Sequence, residues 1–225
     1  MQKTLIAMLI LGIALISSGC YDNRETDTLA TVMAVGIDKG EKYGFKMYTF
    51  AVADTGGMSG SDKGDGTSLI CFNTEAKSIG EAIGNLGGTI SKEPSFSHIS
   101  AILFSKSAAL HGMYEDIDYF EKKISVRPQT MIAVTEINAG EYLSKLKPIL
   151  ESNPEKYFQS IFKNKNSDIR DMSISDFTNA YYTDKEVLAP VISTNPAEEY
   201  CEKNSFVIGT VTIYGGAIRE GYNDF

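Results

Sequence analysis

Cys20 is the residue whose type and setting most directly suggest chemistry. Its thiol follows Ser17-Ser18-Gly19, small enough for a peptidase cleft, and these follow residues 5–16, twelve in a row with no polar side chain. Lys3 and the amino terminus supply positive charge ahead of the run. Charge, apolar stretch and small cleavage site come in the order of a secretory signal, and the run is too short for a spanning helix, which takes ~20 apolar residues. With the Cys directly behind the small residues, the pattern predicts a lipoprotein signal. The Cys20 Sγ takes a diacylglyceryl group, the chain is cut after Gly19, and Cys20 becomes the first residue. Ser17 stands where a lipobox usually has Leu, and Ile16 sits one step early. The alternative is an ordinary secretory signal with a chance Cys. Buried methylenes contribute about 0.8 kcal/mol each and two acyl chains hold stably. A diacylated Cys20 would therefore keep the protein on the outer face of the cytoplasmic membrane.

The other candidates reduce to structure. Asp54-Thr55-Gly56 is the tripeptide of aspartic proteases, but that chemistry needs two aspartates sharing a proton. This copy opens a glycine-rich stretch and has no second. Asp62 and Asp65 lie in the same stretch without the spacing or terminal Glu of a calcium loop. His98 and His111 are the two histidines, and neither has a partner at a recognisable spacing. His98 reads as a ring hydrogen-bonded at the start of an apolar strand. No zinc, nucleophile-elbow or phosphate-cradling motif is present. The expectation is no catalytic residue, no metal and no cofactor. Cys71 reads as a buried free thiol; a bridge to Cys201 is possible outside the cytoplasm. Tyr181-Tyr182 read as core and half-buried surface.

The formal net charge is −8 and grows more negative when Lys3 leaves with the signal. An acidic surface argues against nucleic acid and against a polybasic grip on anionic lipid. Cleavage leaves 206 of 225 residues, enough for one large domain or two small ones.

Residues 1–19 are thus a signal peptide, 20–29 a polar tether, and 30–225 an α/β domain. Residues 30–38, with Val32, Val35 and Ile37, predict a first strand, and Lys39-Gly40-Glu41-Lys42 a turn. Residues 43–53 alternate, Tyr43, Phe45, Met47 and Thr49 against Gly44, Lys46, Tyr48 and Phe50, which predicts the second arm of a hairpin. Residues 54–66, with five glycines, predict a long loop, and residues 67–74 a strand. Ser78 caps a helix with Glu81 at capping-box spacing. Its face carries Ile79, Ala82, Ile83, Leu86 and Ile90, and Gly87-Gly88 is where it would break. Residues 98–104 predict a strand, and 106–123 a helix with Leu110, Met113, Ile117 and Phe120 on one stripe. A strand at 129–134 and a short helix at 139–146 follow. Pro154 opens a helix carrying Tyr157, Phe158, Ile161 and Phe162. A helix at 173–182, with Ile174, Phe177 and Tyr181 inward, precedes closing strands at 187–193 and 205–214. The fold class is α/β, an α+β-like mixed sheet flanked by helices.

Gly19-Cys20-Tyr21-Asp22-Asn23-Arg24-Glu25, Leu29-Ala30 and Ala34-Val35-Gly36-Ile37-Asp38 resemble the opening of the Ger(x)C family, the lipoprotein C subunits of spore germinant receptors. Tyr21 stands for the Trp common after the lipid Cys. The likeness continues through residues 79–86, Phe96-Ser97-His98-Ile99, Val126-Arg127-Pro128-Gln129 and Gly209-Thr210-Val211. It covers most of residues 19–222 as spaced short matches. The resemblance implies a non-enzymatic lipoprotein at the spore inner membrane. It also implies work beside integral membrane A and B subunits that detect amino acids or sugars and trigger ion release. Members of that family continue into further domains, so this chain is expected to be the first domain of a longer architecture. The rival class is a solute-binding lipoprotein of an uptake transporter, which needs two lobes and a cleft. A third is an extracytoplasmic hydrolase, for which no motif is present.

Overall fold

A computed structural model of the chain describes residues 28–53, 69–146, 158, 171–194 and 205–219. Cys20, the predicted loop at 54–66, the predicted helix behind Pro154 (Phe158 apart) and Cys201 lie outside the described residues. The elements in chain order are β1 (Leu29–Lys39), β2 (Lys46–Ala53), β3 (Leu69–Ala76), α1 (Ile79–Thr89), β4 (Glu93–Ser95), β5 (Ala101–Ser105), α2 (Lys106–His111) and α3 (Tyr114–Tyr119). A π-helical turn (Phe120–Ile124), β6 (Met131–Thr135), α4 (Ala139–Lys145), β7 (Met172–Ser173), α5 (Ile174–Tyr182), β8 (Val187–Thr194), β9 (Ser205–Tyr214) and β10 (Ala217–Ile218) follow.

The strands form one mixed sheet in the order β10-β9-β8-β6-β5-β1-β2-β3, with β4 beside β1 and β7 beside β6. β1, β5, β6 and β8 run parallel at the centre, and antiparallel strands extend both sides. This is the expected α/β architecture. The central strands are buried on both faces and read as continuous apolar runs.

The two faces are built differently. One packs Val35, Phe50, Ile102 and Phe104 under α1, α2, α3 and α5, with Phe96 set between Phe50 and Phe120. The other carries Ala34, Ala51, Ala101 and Ala133 and takes α4, with Tyr142, Leu143, Leu146 and Phe158. Ala51, Ala34 and Ala101 sit side by side across β2, β1 and β5, which lets α4 lie close. Within β1, Val32 and Val35 share a face despite an odd spacing. A bulge between Val32 and Ala34 supplies the missing step.

Several local expectations need correction. The second arm starts at Lys46, not at residue 43, because the turn runs on through Phe45. Gly44 has φ +77°, and Tyr43 is fully exposed at 104%. Phe45 is half-buried, with the Lys42 and Lys77 ammoniums each 5.5 Å from its ring centre. α1 runs through Gly87-Gly88 to Thr89, held by the buried Ile79, Ala82 and Leu86. Ser78 Oγ accepts from the Glu81 N–H (3.3 Å), but the Glu81 carboxylate accepts from Lys77 N–H (2.9 Å), one residue before the capping-box position. The complete box is at the start of α5, between Ser173 and Asp176. The helix expected over 106–123 is divided at Gly112, φ +115°. Leu110 is left on the outside, while Met113, Ile117 and Phe120 are buried.

Candidate functional site

The stretches that carry the family resemblance form joints. Gly36-Ile37-Asp38 ends β1, and the Asp38 carboxylate accepts from the Ala139 N–H (2.8 Å) and the Gly140 N–H (2.9 Å) at the start of α4. Those amides have no partner inside their own helix, so a side chain 101 residues away caps it. The approach is tight. A Cβ on Gly36 would stand 3.0–3.1 Å from Ala139 and Gly140 backbone atoms, and one on Gly140 would run into Thr49 Oγ1. The Val126 stretch leads into β6, where the Ser175 N–H of α5 donates to the Pro128 carbonyl (3.0 Å). Gly209 marks a register shift between β8 and β9.

A second buried carboxylate lies on the opposite face. Asp116 of α3 receives the Lys46 ammonium at Oδ2 (2.5 Å) and the Tyr48 hydroxyl at Oδ1 (2.8 Å). Burial holds the Asp116 pKa above the ordinary carboxylate range, although Lys46 and Tyr48 pull it back. Burial also pushes Tyr48 up, with the Asp116 charge adding to it. Both Asp38 and Asp116 turn their oxygens to protein donors, an arrangement that fixes elements in place.

A third cluster faces solvent. Tyr114 stacks on Tyr181 (centroids 3.8 Å apart, 14°), and Tyr182 meets both edge-on. The Tyr114 hydroxyl donates to Asp118 (3.0 Å) and lies 3.0 Å from the Tyr182 hydroxyl, to which Lys122 donates (3.0 Å). Lys122 also pairs with Asp118. The Lys122 hydrogen bond holds the Tyr182 hydroxyl below the ordinary tyrosine range. The Gly215-Gly216 turn between β9 and β10, with both φ positive as a type I′ hairpin requires, packs on Tyr114 and Tyr181. The Met113 N–H donates to the Gly216 carbonyl (2.7 Å).

The residues singled out in the sequence are not brought together. His98 lies exposed in the turn before β5, which begins only at Ala101, so the expected buried ring at a strand start is corrected. His111 is exposed at the end of α2, and its Nδ1–H donates to the Ser107 carbonyl (2.7 Å). Cys71 is a half-buried free thiol whose pKa burial raises. Tyr181 is half-buried and Tyr182 exposed. Among the described residues no group of His, Cys, Asp or Glu could hold a metal, and no helix is long and apolar enough to cross a membrane. The sequence reading missed Lys46–Asp116–Tyr48, in which the aspartate lies 70 and 68 residues beyond its two partners. It also missed the tyrosine cluster, although Tyr114, Asp118 and Lys122 at steps of four on one predicted helix are a usable signal.

A family model described as spore germination protein N-terminal domain matches residues 22–194. Spore germination protein KC of Bacillus subtilis (strain 168) is 24% identical over 157 residues, covering 68% of this chain and 39% of that relative. The chain thus spans about two fifths of the length of that curated relative. No solved structure matches it.

Proposed function

This chain belongs to the spore germination protein N-terminal domain family, and from that membership we propose that it is a lipid-anchored C subunit of a spore germinant receptor. In this reading Cys20 carries the diacylglyceryl group and residues 20–29 tether the α/β domain. The domain stands on the outer face of the cytoplasmic membrane, which is the spore inner membrane, and works by assembly with integral membrane A and B subunits rather than by catalysis. The observation that carries the proposal is the position of the family match, which begins at residue 22, two residues behind the predicted lipidated Cys. The solvent-facing tyrosine cluster supports assembly. Tyrosines held rigid by one another bring large contact area at low entropic cost, and such residues are enriched at protein interfaces.

The test is expression in a Gram-positive host followed by detergent phase partition. Wild type is expected in the detergent phase and Cys20→Ala in the aqueous phase or secreted. Equal partition of the two would defeat the anchoring claim. Loss of nutrient-triggered germination on deleting the gene, restored by wild type, would support the receptor role independently.

A further inference from the structure

We infer that the cleft between the β1–β2 turn and α2 is a binding site for a small organic carboxylate. Its place in the fold is the first reason. β1 and β5 are parallel neighbours. The chain leaves β1 toward β2 on one side of the sheet and leaves β5 toward β6 on the other. The cleft lies beyond the carboxyl ends of these two strands, between the β1–β2 turn and the start of the β5–β6 connection. Here it has a volume of about 490 Å³, with Lys39, Lys42, Tyr43, Phe45, Lys46 and His111 among its walls. That lies inside the ~300–1,000 Å³ range of small-molecule sites.

The walls decide the chemistry. Three ammoniums and an imidazole face one carboxylate, Glu41, in a chain of net charge −8. Lys42 is held by Glu75 (3.6 Å) and Lys46 by Asp116, both outside the lining. Lys39 is exposed and makes no side-chain ion pair or hydrogen bond among the described residues, so its charge is open to a ligand. His111 is fixed by its Nδ1–H donating to the Ser107 carbonyl; Nε2 is an acceptor in that tautomer, so the lysines carry the recognition of an anion. On the other face of the same strand end, the amides of α4 that would attract an anion are already filled by Asp38. The cleft is therefore the open side of the junction.

A carboxylate on an apolar body fits better than phosphate. Phosphate sites draw on free backbone amides together with lysine or bidentate arginine charge. Here the Gly40 and Phe45 amides are spent on carbonyls within the turn, the Lys42 amide on Glu75, and no arginine lines the space. Lysine point charges beside Phe45 and the fully exposed Tyr43 would pair a carboxylate and cover its apolar part. This inference is independent of membrane anchoring and of the receptor reading.

The probe is 4-fluorobenzoate, followed by fluorine NMR against the full chain in micelles, with 4-fluorobenzamide as the neutral isostere. Saturable broadening is expected with the carboxylate and at least about tenfold weaker binding with the amide. Lys39→Gln and Tyr43→Ala, both exposed changes, should each weaken it by a similar factor, with unfolding midpoints unchanged. Equal binding of the amide, binding unaltered in both variants, or displacement by inorganic phosphate at equal concentration would each overturn the proposal.

Discussion

The two faces of the sheet each bury a carboxylate and satisfy it by opposite means. On the alanine face, Asp38 closes on two backbone amides, and the close approach of β1 to α4 leaves no room for a Cβ on Gly36 or Gly140. On the aromatic face, Asp116 closes on a lysine and a tyrosine beneath helices that stand off on large side chains. One joint is specified by the absence of side chains and the other by complementary charge. The first should fail through sterics as soon as a Cβ is added. The second should fail through an unmatched charge and be rescued when both partners are removed.

The largest effect is expected at the charged joint. Asp116→Ala should destabilise the domain by about 3 kcal/mol, because it strands the Lys46 ammonium and the buried Tyr48 hydroxyl. The double variant Lys46→Met/Asp116→Leu should recover most of the loss, as apolar replacement of buried pairs often does. Urea unfolding midpoints of both variants decide the point, and a double variant no better than the single would remove the contrast. At the steric joint, Gly36→Ala should cost about 1–3 kcal/mol by overpacking against backbone that cannot retreat. Gly84→Ala, on α1 where a Cβ meets nothing within 4 Å, should instead stabilise by roughly 0.5–1 kcal/mol. The same sign at both glycines would contradict the steric account.

The smallest effect concerns the exposed tyrosines. Tyr182 should lose its proton below the ordinary tyrosine range, because the Lys122 hydrogen bond stabilises the phenolate. A depressed pKa in the folded state means that folding is favoured by this group as pH rises past the folded value, and that the gain is lost as pH falls back through it. Carbon NMR of the Tyr182 ring across an alkaline titration should show the early transition, and Lys122→Met should move it upward with little change in stability. An unmoved transition would mean that the hydrogen bond is not formed in solution.

Most strands and helices were legible because apolar periodicity is a local property. The bulge in β1 was not read, although the odd Val32 to Val35 step on one face is its trace in the sequence. The first turn was misread because Tyr43 and Phe45 continue the alternation of β2, while Gly44 at positive φ ends it. The helix break at Gly112 was missed because Leu110 and Met113 keep helical spacing across it. Gly36 and Asp38 were visible as part of a family-like opening, but not their task. That task depends on where α4 arrives, and a contact spanning 101 residues leaves no periodic trace. The same holds for Asp116, an ordinary acidic residue of an amphipathic helix until β2 brings Lys46 and Tyr48 beneath it.

The proposed receptor role is tested most directly by isolating the tagged protein from detergent-solubilised spore inner membrane and identifying what accompanies it. Two multi-span membrane proteins of a germinant receptor should co-isolate with the wild type and be depleted with Cys20→Ala. Recovery of a permease with its ATPase, or of no multi-span protein at all, would contradict the account.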